Sequence, residues 1–543
     1  MTRLIGRLLG PICFLLIIIF RILPHASLEM HLFVGILLCL IVWVSFGVIS
    51  WSHFPQKSTL QKLGLFLGPV LFVLSYLMPL PGMDPAARAV LASTLWVATW
   101  WTTEALPIPA TSIMPIILLP LSGGQAIGPT VASYGDKMLF LFIGGFMIAK
   151  AMEYWNLHRR IALFTVRAVG TDAPRIILGF MIASAFLSMW ISNTATTMMM
   201  VPIGAAVILQ LSGNESQPGT DQFGKALLLG IAYAASIGGL ATIIGTPTNG
   251  IFISLIGKNY GLDVDFAEWI SLGLPLVILL IGGMCVLLTK VVFKVRVVDA
   301  ADARAKIAEQ YRLLGPFSRP EKGVMVVFVG VAVLWICRSL LHILDKDHGD
   351  TIIALAGALV LFIWPSGENG TDRPATLLDW KTAVTIPWGI ILLFGGGLSL
   401  AGAFKTSGLA QWIGDQLVGL EGLPLFMIIL LTVAIVNFLT EVTSNVATAS
   451  IILPILASMA IAFGMHPFAL TIGATLAASC AFMLPVATAP NAIVFGSDRI
   501  EMRDMVKAGF WLNILSIILI SLLVYYLVPL TWGVDFNATV AIP

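Results

Sequence analysis

The chain has 543 residues, of which 58% are hydrophobic and 11% charged, with a mean hydropathy of +0.97. Soluble globular proteins carry about 25% charged residues, so an ordinary soluble enzyme, a disordered chain and a secreted disulfide scaffold are excluded. The long apolar runs also exclude a β-barrel, whose strands read as weak alternation, and 30 Lys and Arg against 28 Asp and Glu give no argument for nucleic acid.

What remains is an all-α polytopic membrane protein. About 20 apolar residues cross a bilayer as a helix. In chain order, runs 8–23 and 31–51 predict an extra helix pair within residues 1–61. There RLLGPICFLLIIIF (7–20) loosely echoes LFLGPVLFVLSYLM (65–78), and no small-residue cleavage site follows the first run, so no signal peptide is expected. Spans follow at 62–80, 88–104, 106–121 and 138–152. Stretch 176–211 is apolar but carries a polar cluster near its midpoint, which predicts a re-entrant hairpin. Spans 226–256 and 270–293 lead to a charged connector over 294–322, in which DAADARAKIAEQYRLL (299–314) reads as a short surface helix. After spans 323–343, 351–364 and 383–404 comes a second interrupted stretch, 423–464, also read as a hairpin. Spans 468–497 and 508–530 complete thirteen full crossings and two hairpins. The five cysteines (Cys13, Cys39, Cys285, Cys337, Cys480) lie in apolar runs without CxxC spacing, which indicates neither a metal nor a disulfide framework.

With each hairpin returning to the side it entered and the N-terminus inside, 21 of the 30 Lys and Arg fall on the inner face and seven on the outer, as the positive-inside rule requires. The tail after Pro529 carries no Lys or Arg and is expected outside.

The chain also repeats itself. At an offset of 252 residues, Phe142, Gly144, Gly145 and Leu157 fall on Phe394, Gly396, Gly397 and Leu409. At the same offset Ser192, Asn193, Ala195, Thr196 and Pro202 fall on Ser444, Asn445, Ala447, Thr448 and Pro454. The offset then becomes 242, pairing Thr246 with Thr488 and Asn249 with Asn491. Five crossings separate equivalent points, and an odd number inverts one copy relative to the other. Inverted repeats with helices broken near the bilayer midplane are the mark of a secondary transporter.

Four elements are broken. The hairpins SAFLSMWISNTATTMMMVPI (184–203) and VNFLTEVTSNVATASIILPI (436–455) each place a hydroxyl, a Ser and an Asn at i, i+4 and i+5. GGLATIIGTPTNGIF (238–252) and CAFMLPVATAPNAIVFG (480–496) each set Pro and Asn inside an apolar span. An interrupted helix exposes free carbonyls on one side of the break and free N–H groups on the other. The carbonyls and hydroxyls suit a hard cation, and the N–H groups an anion. Unwound backbone at membrane depth is tolerated only where it lines a cavity or is buried in protein, so the four breaks are expected to converge. No Lys or Arg occurs in 176–224, 226–257 or 422–498. An anion bound there must be compensated by cotransported cations and helix N-termini, and two Na⁺ would neutralise a dianion. Two carboxylates lie in the apolar segments: Glu104, which reads either as a span-end residue or as a functional one, and Glu441, which reads as a hydrogen-bonding residue within its hairpin in preference to a proton relay.

These paired SNT-type motifs, together with GTPTN (245–249), ATAPN (487–491) and WWTTEALPIPAT (100–111), resemble the divalent anion/sodium symporter family over residues 62–530. The resemblance implies an elevator-type transporter and a homodimer. Residues 62–137, 257–382 and 498–543 would be scaffold, and residues 138–256 and 383–497 the two repeats of a transport domain. One Na⁺ site would use Ser188, Ser192, Asn193 and the backbone at Gly245; the other would use Thr440, Ser444, Asn445 and the backbone at Ala487. The substrate would meet Asn193, Thr194, Thr246, Pro247, Asn445, Val446 and Thr488. Val446 stands where the first motif has Thr194, and Thr248 and Ala489 stand where many bacterial members have proline, so the pocket wall departs from the family pattern.

The expected activity is Na⁺-coupled import of a C4-dicarboxylate such as succinate, malate or fumarate across a bacterial inner membrane. Citrate, sulfate and sodium-independent exchange are the alternatives, and Ser188 and Thr440 favour sodium coupling over exchange. Seven scattered histidines form neither an HExxH motif nor a His–carboxylate cluster within a span, and Ser192 and Ser444 have no base nearby in sequence, so an enzyme is not expected.

Overall fold

The computed structural model describes residues 57–538 apart from 79, 170–171, 213–219, 296–300, 342–348, 369–373 and 417–422. The helix pair expected within 1–61 therefore lies outside the described residues, save for its last few positions. Helices dominate, and the chain forms two compact units, one of residues Met1–Gly135 with Leu392–Val418, the other of Asp136–Ile391 with Gly419–Pro543.

In the first unit, Ser58 and Gln61 form a capping box that starts helix Thr59–Leu77. That helix packs on Pro85–Thr103. The packing is close because a methyl group on Gly68 would lie 2.6 Å from the Trp96 ring. Glu104 ends the second helix in a left-handed conformation, φ 49°, and is exposed. It therefore sits at a helix end and not inside the packed core. The stretch 106–121, expected as one span, is instead Ile108–Thr111, a turn, and Met114–Ser122. Pro109 and Pro115 each remove a backbone donor there. Ser112, in that turn, is held by Trp101 Nε1 at 3.0 Å and gives its carbonyl to the Tyr134 hydroxyl. A methyl group on Gly396 would lie 2.5 Å from the same carbonyl.

In the second unit, Asp136 caps Lys137–Tyr154, and Gly144 brings that helix onto the backbone of Ala354 in Gly349–Ile363. Gly144 and Gly396 are equivalent under the 252-residue offset, so both copies use the same glycine for a helix–backbone contact. The amphipathic helix Leu157–Val169 follows, and the expected connector helix forms at Ala301–Leu313, packed on Leu157–Val169 and on the second arm of the first hairpin. Arg160 fastens the connector. It binds both carboxylate oxygens of Glu321 at 3.0 and 3.1 Å and the carbonyls of Leu314, Gly315 and Pro316, with Phe317 over its guanidinium. Both partners are about 6% exposed. Arg160→Ala would leave Glu321 buried and unpaired, a loss of about 3–5 kcal/mol. The expected outcome is a markedly lower Tm for the detergent-purified protein; an unchanged Tm would remove this clamp from the list of stabilising contacts.

Among the described residues, eight helices are long and apolar enough to cross a membrane. The lower number than expected has a physical origin beyond the undescribed N-terminal pair. Gly349–Ile363 has 15 residues, about 22 Å at 1.5 Å per residue. Span 468–497 is interrupted, and its helix Phe468–Ala478 has only 11 residues. Span 226–256 is interrupted too, but its first part, Asp221–Ala241, still counts among the eight, as does Asn445–Ala462, an arm of the second hairpin.

Candidate functional site

Both hairpins form where expected. The first consists of Ala173–Ser188 and Asn193–Ser212, the second of Leu425–Thr440 and Asn445–Ala462. In each, a hydroxyl closing the first arm reaches across the turn to the amide opening the second. Ser188 Oγ donates to Asn193 Oδ1 at 2.5 Å, and Thr440 Oγ1 to Asn445 Oδ1 at 2.8 Å. Ser188 and Thr440 are fully buried, while Asn193 and Asn445 are half-buried. Each pair thus holds two neutral oxygens side by side at a helix break.

The two broken spans repeat one another as closely. The first runs Thr220–Gly238, a short 3-10 turn, extended Thr242, and then, after Thr246, Pro247–Tyr260. The second runs Phe468–Ala478, an irregular segment, and after Thr488, Ala489–Phe495. Thr246 and Thr488 share an extended conformation, φ −141° and −143°. Asn249 Nδ2 donates to the carbonyls of Gly239 and Thr242 at 3.2 and 2.8 Å; Asn491 Nδ2 donates to those of Ala481 and Leu484 at 3.1 and 3.0 Å. All four acceptors obey the 242-residue offset. The motif asparagines are therefore staples that hold unwound backbone open, a role that spacing alone left unassigned.

Hairpin and break meet within each repeat. A methyl group on Gly239 would lie 2.9 Å from the Gly245 carbonyl and 3.0 Å from Asn193 Oδ1, so the three residues are in close contact. Thr242 Oγ1 donates to the carbonyl of Met189 in the first hairpin turn. In the second repeat Thr440 Oγ1 also donates to the Ala478 carbonyl at 2.8 Å. The repeats interlock crosswise as well: Asn193–Ser212 packs on Ala489–Phe495, and Asn445–Ala462 on Pro247–Tyr260. Burial varies within both candidate sets. Thr246 and Ala487 are buried, Val446 and Thr488 half-buried, and Thr194 exposed. Ser192 spends its hydroxyl as an acceptor for Ala195 N–H at 3.3 Å, capping the second arm. Ser444 occupies the equivalent N-cap position without a side-chain cap bond.

Two residues stand out that motif reading assigned differently or not at all. Glu441, 3% exposed, does not bond within its own hairpin. Its carboxylate accepts from the backbone N–H groups of Phe482, Met483 and Leu484 at 2.7–3.2 Å and from Asn513 Nδ2 at 2.7 Å. It therefore braces the unwound segment of the second broken span. Its counterpart in the first repeat is Met189. Ser479, buried at the start of that unwound segment, touches Thr248 and Thr246 of the other repeat. No cue marked it, because a single serine after an alanine-rich helix has no motif.

The chemistry available is neutral-oxygen coordination of a hard cation at unwound carbonyls, beside helix N-termini suited to an anion. Among the described residues no cluster of His, Cys, Asp and Glu could hold a metal ion.

The sequence profile described as the sodium:sulfate symporter transmembrane region matches residues 59–533. Two similar relatives are sodium-dependent dicarboxylate transporters named SdcS. That of Staphylococcus aureus (strain MRSA252) is 44% identical over 490 residues, 88% of this chain and 94% of the relative. That of Staphylococcus saprophyticus is 44% identical over 485 residues, 88% of this chain and 93% of the relative. Among solved structures, the YdaH transporter of Alcanivorax borkumensis aligns with a TM-score of 0.51 at 13% identity, covering 81% of this chain and 98% of that one. That likeness concerns the fold alone.

Proposed function

The chain belongs to the sodium:sulfate symporter family, the divalent anion/sodium symporters that its motifs resemble, and from that membership we propose that it imports C4-dicarboxylates such as succinate, malate and fumarate, driven by Na⁺. It is a multi-pass membrane transporter and not an enzyme. The observation that carries the proposal is the pair of cross-turn bonds, Ser188–Asn193 and Thr440–Asn445, each set beside unwound backbone held by an asparagine staple.

On this reading at least two Na⁺ bind. One takes Ser188, Ser192, Asn193 and the Gly245 backbone; the other takes Thr440, Ser444, Asn445 and the Ala487 backbone. The dianion meets Asn193, Thr194, Thr246, Pro247, Asn445, Val446 and Thr488. With no Lys or Arg in the windows that hold these residues, two Na⁺ balance its charge, and the helix N-termini at Asn193, Pro247 and Asn445 orient its carboxylates. The copies run in opposite directions. Residues 138–256 and 383–497 move as an elevator against a scaffold that forms a homodimer, with the N-terminus cytoplasmic and the C-terminus outside in a bacterial inner membrane.

Purified protein in liposomes should accumulate labelled succinate only under an inward Na⁺ gradient. Uptake indifferent to Na⁺ would overturn the coupling and leave an exchanger. Competition by excess citrate or sulfate where malate and fumarate fail to compete would overturn the substrate class.

A further inference from the structure

Ser479 follows directly on helix Phe468–Ala478, and 1% of it is exposed. Its hydroxyl lies 2.7 Å from Thr248 Oγ1 and 3.3 Å from Thr246 Oγ1. Both threonines belong to the other repeat. Thr246 is the N-cap of helix Pro247–Tyr260 and Thr248 its second residue; they are 3% and 0% exposed. Three buried hydroxyls thus link the unwound backbone of one repeat to the helix start of the other.

The internal symmetry does not explain this link. Under the 242-residue offset the counterpart of Ser479 is Ile237 and that of Thr248 is Pro490, neither of which carries a hydroxyl. Thr488, the counterpart of Thr246, uses its hydroxyl locally, accepting from Asn491 N–H at 3.3 Å. Thr246 makes no such cap bond. Its hydroxyl is held from across the repeat boundary instead. An asymmetric bond inserted into an otherwise repeated arrangement fixes one half-site relative to the other.

We propose that Ser479 is a positioning residue for the substrate. It ties the helix start at Thr246–Thr248 to the second broken span and so sets the spacing between the two carboxylates that the site accepts. This rests on the reading that Thr246, Pro247 and Thr488 face a dicarboxylate. Removing one buried hydroxyl loosens that spacing without removing an ion ligand. The effect therefore falls on substrate affinity and on chain-length preference, and not on the sodium dependence.

The test is uptake of succinate (four carbons) and glutarate (five carbons) by wild type, Ser479→Ala, Ser479→Thr and Thr248→Val in liposomes. Ser479→Ala should raise KM for succinate about 5- to 10-fold, the scale of one buried hydrogen bond, and narrow the preference for succinate over glutarate. Maximal rate and sodium half-saturation should stay within about twofold. Ser479→Thr should restore both quantities. Thr248→Val deletes the same 2.7 Å bond from the other side and should give the same pattern, so it carries the test if Ser479→Ala does not fold. The double variant should be no worse than the weaker single variant, because the two changes share one interaction. Wild-type KM and chain-length preference in either single variant would overturn the proposal, as would additive losses in the double variant. A wild type that takes up neither acid under a Na⁺ gradient is a separate result, which overturns the dicarboxylate reading and this proposal with it.

Discussion

Replacing Asn445 with alanine should reduce sodium-driven succinate uptake by about 100-fold or more, with Asn193→Ala equally severe, while the protein remains folded in detergent. Each asparagine is asked to do two things at once. Its Oδ1 pairs with the hydroxyl that closes the preceding arm, Ser188 or Thr440, and its residue opens a helix whose first N–H groups, on the proposed reading, face the anion. On the proposed reading alanine removes an ion ligand; in the first repeat it also leaves the fully buried Ser188 hydroxyl without the acceptor it now has, whereas Thr440 keeps the Ala478 carbonyl. A buried polar group stripped of its partner costs about 1–3 kcal/mol, and the coupled loss of cation and dianion multiplies the effect on transport. The fold should survive, because the arms are held by their own helical bonds and by packing on Pro247–Tyr260 and Ala489–Phe495. Asn445→Asp separates the two roles. It adds a negative charge where a cation and a dianion meet, so Na⁺ alone should bind more tightly and succinate more weakly. Full uptake by Asn193→Ala or Asn445→Ala would remove that residue from the site, and an effect of Asn445→Asp on one ligand alone would show that it serves only that one.

Much of this arrangement was legible in the residues because breaks in apolar helices need polar or conformationally special residues, and those are rare against a background that is 58% hydrophobic. Ser188, Asn193, Thr440 and Asn445 stand out at i and i+5 for that reason, and the structure pairs them at that spacing. Thr246 and Thr488 sit before Pro247 and Ala489-Pro490 because a helix start tolerates proline. Other features were out of reach. Stretch 106–121 is apolar apart from Thr111 and Ser112, so hydropathy reads one span, whereas prolines and the Ser112 turn divide it. Gly349–Ile363 is apolar enough for a span but short, and hydropathy does not count helical turns. Glu441 was visible as a buried carboxylate, but its donors lie 41–43 and 72 residues further along the chain. Ser479 reaches a partner 231 residues away. Pairings of that range are decided by how the repeats interlock, which one chain's spacing does not encode.

The two copies differ at Glu441, and the difference predicts that the two proposed cation sites are unequal. Every hydrogen-bond partner of the Glu441 carboxylate is an N–H donor: three backbone groups of Phe482–Leu484 and the Asn513 amide. Donors alone are what an ionised carboxylate accepts. The neighbouring residue is Thr440, whose hydroxyl bridges Asn445 and the Ala478 carbonyl. Ionised, Glu441 would place a negative charge beside the second candidate site, where the first repeat has Met189. At an effective dielectric near 20, a unit charge within about 8 Å is worth about 2 kcal/mol or more to a cation. Glu441→Gln keeps the shape but removes the charge. It also turns one acceptor oxygen into a donor that faces N–H groups. The sodium concentration for half-maximal uptake should rise about tenfold, using only part of that energy because the unwound segment relaxes toward water. Succinate KM at saturating Na⁺ should change far less. Glu441→Ala should in addition lower the Tm, since it leaves the N–H groups of Phe482–Leu484 without their acceptor, whereas Met189→Ala should shift neither the sodium curve nor the succinate curve by more than about twofold. A sodium curve for Glu441→Gln that superimposes on wild type, together with a lowered Tm, would make Glu441 a brace alone and return the two cation sites to equality.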